Sequence, residues 1–154
     1  MGSHAETARR LSTTMMSMDF TFGPENTASV IGCAGEARVH VTDAVTAAAL
    51  GSGDLPVLGT PKLVALMEEA ACTALLGRIP PALTTVGTHL DVRHTAPSPV
   101  GADVVAHAQV LDAAGTRITF GVWAEHEYDG RVAEIGRGTH VRVVVDRERF
   151  IGGR

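Results

Sequence analysis

The stretch Gly59-Thr60-Pro61-Lys62-Leu63-Val64-Ala65-Leu66-Met67-Glu68-Glu69-Ala70-Ala71 decides the fold. Leu63, Leu66, Met67, Ala70, Ala71 and Ala74 recur at helical spacing, which predicts one long helix over about Pro61 to Leu76. Thr60 suits the N-cap, where its hydroxyl accepts from a free backbone N–H of the first turn. Pro61 then takes the first helical position, where a missing N–H costs nothing, and Gly77 supplies the stop. Thr60, Val64 and Glu68 stand four residues apart, so they form a column about 12 Å long on one side of the helix.

Outward from the helix, the pattern changes to strand on both sides. Ala28 to Val41 reads as a first strand, with Gly32 and Gly35 as bulge points. Thr42 to Asp54 reads as a short helical turn around Ala47-Ala48-Ala49-Leu50 and a loop through Gly51-Ser52-Gly53-Asp54. Downstream of Pro80-Pro81, Thr84 to Thr95 alternates. Val86, Leu90 and Val92 fall on one face, and His89, Asp91 and Arg93 on the other. Ala102 to Leu111 is a third strand closed by Asp112-Ala113-Ala114-Gly115. Thr116 to Glu127 follows, with Ile118, Phe120, Val122 and Ala124 on one face. Asp129-Gly130 is a strong hairpin signal, and Arg131 to Val145 makes the last strand, with Gly136 and Gly138 marking close backbone approach. Strand, long helix, then four antiparallel strands predicts an α+β hot-dog fold, a five-stranded antiparallel sheet wrapped around one helix. Exposed sheet edges predict pairing into a homodimer, or a tetramer by further stacking.

The 154 residues suit a single domain, placed at 21–150 between a leader over 1–20 and a tail over 151–154. Met1-Gly2-Ser3-His4 reads as a tag remnant, and Phe20-Thr21-Phe22 as a short strand or flap. Aromatic residues are only 4% of the chain, so the core must be built from Val, Ala, Leu and Ile. A net charge of −4 without a Lys/Arg run argues against a nucleic-acid partner. No window reaches the roughly 18 apolar residues of a membrane span, and no signal peptide opens the chain, so a cytoplasmic setting is expected. Cys33 and Cys72 form no metal-ligand pattern and are read as small buried residues; no metal or other cofactor is expected.

The chemistry-bearing candidates are Thr60, Glu68, Gly87 and His94. His94 shares the apolar face of its strand with Val86, Leu90 and Val92, where a histidine is by default a core residue satisfied by a hydrogen bond. Glu68, taken as an unpaired carboxylate directed at the same layer, changes that default. Burying each group alone is costly, and burying both within reach of one another is much less so. Gly87 lets its backbone approach a ligand carbonyl, but strict alternation puts it on the face opposite His94 unless a bulge intervenes. His126 and His140 are assigned to solvated, outward positions. Trp123 is assigned to a subunit contact or a pocket wall.

Three segments together resemble the fluoroacetyl-CoA thioesterase family of hot-dog proteins. They are Thr60 through Glu68, Gly87 through His94-Thr95 with Ala96-Pro97-Ser98-Pro99-Val100-Gly101, and Glu134-Ile135-Gly136-Arg137-Gly138-Thr139-His140-Val141-Arg142. The resemblance covers roughly residues 37 to 150 and keeps the spacings from Thr60 to Glu68 and from Gly87 to His94. It implies a catalytic set of Thr60, Glu68 and His94, substrate-positioning roles for Gly87 and Arg142, and an active site at a dimer interface. It further implies hydrolysis of a small acyl-CoA or acyl-phosphopantetheine thioester, coenzyme A entering as part of the substrate. One departure stands out. The family's lid carries phenylalanines before the helix, whereas this chain has Leu55-Pro56-Val57-Leu58, so the resemblance does not extend to discrimination for a fluorinated acyl group. The alternative reading is a non-catalytic module of the same fold that binds an acyl-CoA or another small ligand.

Overall fold

The computed structural model describes residues 29–153. The expected leader and the flap at Phe20-Thr21-Phe22 lie outside them. Within them the order is β1 (Ala34–His40), a 3-10 turn (Asp43–Val45), α1 (Ala47–Leu50), α2 (Thr60–Ala74), β2 (Leu83–His94), β3 (Asp103–Ala114), β4 (Arg117–Tyr128), β5 (Arg131–Asp146) and α3 (Arg147–Gly152). The strands form one antiparallel sheet in the order β1-β3-β4-β5-β2. This is the hot-dog arrangement expected from the sequence.

The helix buries Leu63, Leu66, Met67, Ala70, Ala71 and Ala74, the set picked out by helical spacing. Against them the sheet turns Val104, Ala106, Ala108, Val110, Ile118, Phe120, Val122 and Ala124, all buried. Each large side chain removed from water there contributes about 1.5–3 kcal/mol. Small residues set how closely the layers meet. A Cβ at Gly35 would run into the backbone of Ala70 and Ala74, so this glycine serves strand–helix contact rather than a bulge.

Two helix details depart from expectation. Gly59, not Thr60, occupies the N-cap, and Thr60 is the first helical residue. The helix ends at Ala74 rather than Leu76. Cys72 is exposed, because it continues the column of Thr60, Val64 and Glu68 rather than the apolar stripe; Cys33 is half-buried against the core.

The Asp129-Gly130 turn forms as predicted, with φ of 52° and 72° at its two residues, the signature of a type I′ hairpin. The β3–β4 turn lies later than expected. A register shift between Val110 and Asp112 carries β3 on to Ala114, and Gly115 with φ 61° makes the turn.

The irregularity that matters most lies in β2, where the register with β5 shifts between Gly87 and His89. Before it, Gly87 lies opposite Arg142; beyond it, Leu90 lies opposite His140, Val92 opposite Gly138 and His94 opposite Gly136. The extra residue resets the alternation, so Gly87, Leu90, Val92 and His94 all face the helix. Val86, expected on the face of Leu90, pairs instead with Val143 on the outer face. β2 is also an edge strand of 12 residues whose middle, Gly87–Asp91, is exposed.

Candidate functional site

The functional side chains gather at two places along α2, one at each end of the Thr60–Glu68 column. At the helix start, Thr60 Oγ1 lies 2.8 Å from His94 Nδ1. Because Gly59 holds the cap, the Thr60 hydroxyl is not spent on the helix and is free to meet the imidazole. His94 is brought there by the resumed alternation of β2. Its Nε2 is buried and makes no hydrogen bond among the described residues. Burial lowers the His94 pKa from the usual 6.5, with the Ala96 backbone opposing, so the ring is neutral at pH 7. A cavity of about 270 Å³ opens beside the pair, walled by Ala47, Ser52, Val57, Leu58 and Ala96. Val57 and Leu58 are fixed over it by backbone bonds, including Leu58 N–H to Ser98 O at 2.8 Å.

Two turns further on, Glu68 Oε2 accepts from Arg142 Nη1 at 3.1 Å. Arg142 is 7% exposed, and its other two nitrogens are also bonded. Nε donates to Thr85 Oγ1 at 2.9 Å and Nη2 to the Thr85 carbonyl at 3.0 Å, while Nη1 also lies 3.2 Å from His140 Nε2. A guanidinium so deeply buried needs a carboxylate and further acceptors, and both are supplied here. Glu68 is therefore not the unpaired carboxylate expected from the sequence. Its side chain is 36% exposed, and the contacts with Arg142 and His140 are both made through Oε2.

Gly87 completes this end. A Cβ on it would sit 2.5 Å from Glu68 Oε2 and 3.2 Å from His140 Cε1. The space that a side chain would fill is where the carboxylate lies. The bulge thus reconciles Gly87 with His94 on one face, as the sequence required.

All five residues singled out in the sequence lie on the inner side of the sheet or on the helix facing it. The structure pairs Thr60 with His94, and Glu68 with Arg142 and Gly87. Within one chain it does not bring Glu68 to His94: their contacts belong to opposite ends of a column about 12 Å long.

His140 was missed. Expected at the surface, it is fully buried, with Nδ1 2.8 Å from the His89 carbonyl and its ring stacked on Phe120 at 6.0 Å. The signal was available, since a residue two positions before Arg142 on a strand shares its face. His126 is likewise not a free surface residue: its Nδ1 lies 2.7 Å from Ser98 Oγ, tying the Pro97–Pro99 turn to β4. Trp123 stacks on His107 with ring centroids 5.2 Å apart. Among the described residues there is no cluster of three His, Cys, Asp or Glu side chains placed to hold a metal, and no helix long and apolar enough to cross a membrane.

A fluoroacetyl-CoA thioesterase from Streptantibioticus cattleyicolor is 37% identical over 94 residues, which is 61% of this chain and 65% of that protein's length. A solved fluoroacetyl-CoA thioesterase variant with acetyl-CoA bound superposes with a TM-score of 0.72 at 29% identity, covering 80% of this chain and 94% of the other. A thioesterase-superfamily protein from Thermus thermophilus, 23% identical, has the same fold with a TM-score of 0.72 over 79% of this chain and 88% of its own. The family described as fluoroacetyl-CoA-specific thioesterase matches residues 41–148, a span that contains Thr60, Glu68, Gly87, His94 and Arg142, and the chain belongs to it.

Proposed function

We propose that this protein hydrolyses a small acyl-CoA thioester to the free acid and the thiol. The observation that carries the proposal is a partly exposed carboxylate fixed by Arg142 and, at the other end of the same helix column, a neutral imidazole whose Nε2 makes no hydrogen bond among the described residues. Arg142 fixes Glu68 through Oε2, which leaves Oε1 as a nucleophile. His94, kept neutral by burial, suits a base near pH 7.

In the first step Oε1 attacks the thioester carbonyl carbon, the C–S bond breaks, and the thiolate leaves to be protonated by solvent. In the second, His94 takes a proton from water as the water oxygen adds to the acyl carbon of the mixed anhydride. The acid departs, Glu68 is restored as a carboxylate, and the imidazolium returns its proton to solvent. Thr60 orients His94 through Nδ1. Gly87 leaves the room in which carboxylate and thioester carbonyl meet, with Arg142 fixing the carboxylate.

The site is completed by a second copy of the chain. β2 is a long exposed edge that invites antiparallel pairing with itself. With the bulged Thr88 left out of the count, a two-fold axis at Asp91 sets Gly87 opposite His94 of the partner subunit. Glu68 of one protomer, which lies at Gly87, then meets the Thr60–His94 pair of the other. The occupant of the 270 Å³ cavity beside Thr60 is the small acyl group, and a cytoplasmic setting supplies its CoA ester.

Thiol release from acetyl-CoA and longer acyl-CoAs tests the proposal. Glu68→Gln should abolish release, and His94→Ala should slow turnover by about 10²–10⁴-fold. In His94→Ala one thiol per site should appear first, with the acyl group found on Glu68 by mass spectrometry. Wild-type rates in both variants would overturn it, and absence of any release from the unaltered chain would leave a binding module. Comparing CoA with carrier-protein thioesters identifies the thiol.

A further inference from the structure

We propose that His140 is a positioning residue for the reaction, holding Arg142 and through it Glu68, by acting as a neutral acceptor with its proton on Nδ1. This rests on the hydrolase reading given above. His140 is 0% exposed, yet it is not a mere filler of space, for an apolar side chain would pack against Phe120 without needing two hydrogen bonds.

Both ring nitrogens are committed. Nδ1 lies 2.8 Å from the His89 carbonyl, which can only accept, so Nδ1 carries the hydrogen. Nε2 therefore presents a lone pair, and what faces it at 3.2 Å is Arg142 Nη1, which can only donate. That nitrogen has two hydrogens; the other goes to Glu68 Oε2 at 3.1 Å. The groups around the ring are thus Glu68 from α2, His89 from β2, Phe120 from β4 and Arg142 on its own strand. A proton on Nε2 would set two donors against each other beside a cation. Burial, foremost, and Arg142 both lower the His140 pKa, while the bond to His89 and the Glu68 charge oppose them.

The consequence is directional. Thr85 fixes Nε and Nη2 of Arg142, but only His140 and Glu68 engage Nη1. Without the Nε2 acceptor, the Nη1 hydrogen seeks another partner, and the carboxylate loses its fixed orientation opposite Gly87. Rate should suffer while substrate binding does not, because His140 itself is fully buried and makes no contact with substrate.

Two substitutions separate the two nitrogens. His140→Asn keeps a donor near the Nδ1 position for the His89 carbonyl and lacks the acceptor, whereas His140→Gln places an amide oxygen near Nε2. We expect His140→Asn to lower kcat by about 10- to 100-fold with KM nearly unchanged, and His140→Gln to recover most of that loss. In histidine-labelled 15N NMR, His140 should be a neutral ring protonated on Nδ1 at pH 7. Equal losses of kcat in both variants, matched by equal losses in unfolding midpoint, would reduce His140 to packing and overturn the proposal. So would a proton found on Nε2. If the unaltered chain releases no thiol, the hydrolase reading fails on its own, and the NMR tautomer still decides the state of His140.

Discussion

The two ends of the helix column are built on opposite plans. Around Glu68, every side-chain nitrogen of Arg142 has an acceptor, both nitrogens of His140 are used, and Gly87 clears the space the carboxylate needs. Around Thr60, a single hydroxyl–imidazole contact borders an open cavity, and His94 Nε2 has no partner among the described residues. One end is finished and rigid; the other is left for something to complete it. A saturated network fixes a charge in place, and an unsaturated one leaves a group ready to take a proton. Acyl transfer needs both, and a single chain keeps them apart.

The strongest way to break this comparison is to mix inactive chains. Glu68→Gln and His94→Ala are each expected to be inactive as homodimers. After subunit exchange, statistical heterodimers carry one intact site out of two, so about a quarter of the wild-type activity should return. No recovery despite demonstrated exchange would place the whole site within one protomer. The finished end is tested next by Gly87→Ala, whose methyl must displace the carboxylate from a position 2.5 Å away. A shift of about 1 Å should lower kcat by roughly 100-fold, with the unfolding midpoint changed far less.

The open end is tested by Thr60→Ala. Since Thr60 caps nothing, stability should stay within about 0.5 kcal/mol by urea unfolding, while thioester hydrolysis falls about 10-fold. A loss of stability typical of a missing cap would return Thr60 to a structural role. The smallest expected effect is on acid stability. His94 and His140 both have folded pKa values below 6.5, so the unfolded chain binds more protons below that pH. Stability is then fully present above pH 6.5 and declines as the pH falls toward the folded values. An unfolding midpoint that rises on acidification through this range would contradict the buried, neutral state of both rings.

Much of this was legible in the sequence, and what was not has identifiable causes. The helix stripe survived intact because six apolar residues at helical spacing over-determine one face. Asp129-Gly130 was legible because a type I′ turn needs positive φ at both positions. The role of Thr60 at the helix start was misread because Gly59 caps equally well without a side chain, which frees the hydroxyl. Glu68 looked unpaired because its partner lies 74 residues away in sequence, across β2, beyond the reach of local pattern. His140 was assigned outward by alternation, but β5 does not keep a period of two, since the adjacent Ile135 and Gly136 are both buried, as are His140, Val141 and Arg142. Counting back from Arg142 would have placed it correctly.

The irregularity at Thr88 has a consequence for anyone altering this strand. Its hydroxyl donates to the Val141 carbonyl at 3.3 Å, stitching the surplus residue into the sheet. Were Thr88 paired in regular register instead of bulged, every later residue of β2 would slip by one, in a more regular ribbon that still pairs with β5. The imidazole seven positions after Gly87 would then emerge on the outer surface, leaving the hydroxyl at the helix start with nothing to hold. A tidier sheet would be an inert one: in this molecule the defect in the weave is what turns a scaffold into a reagent.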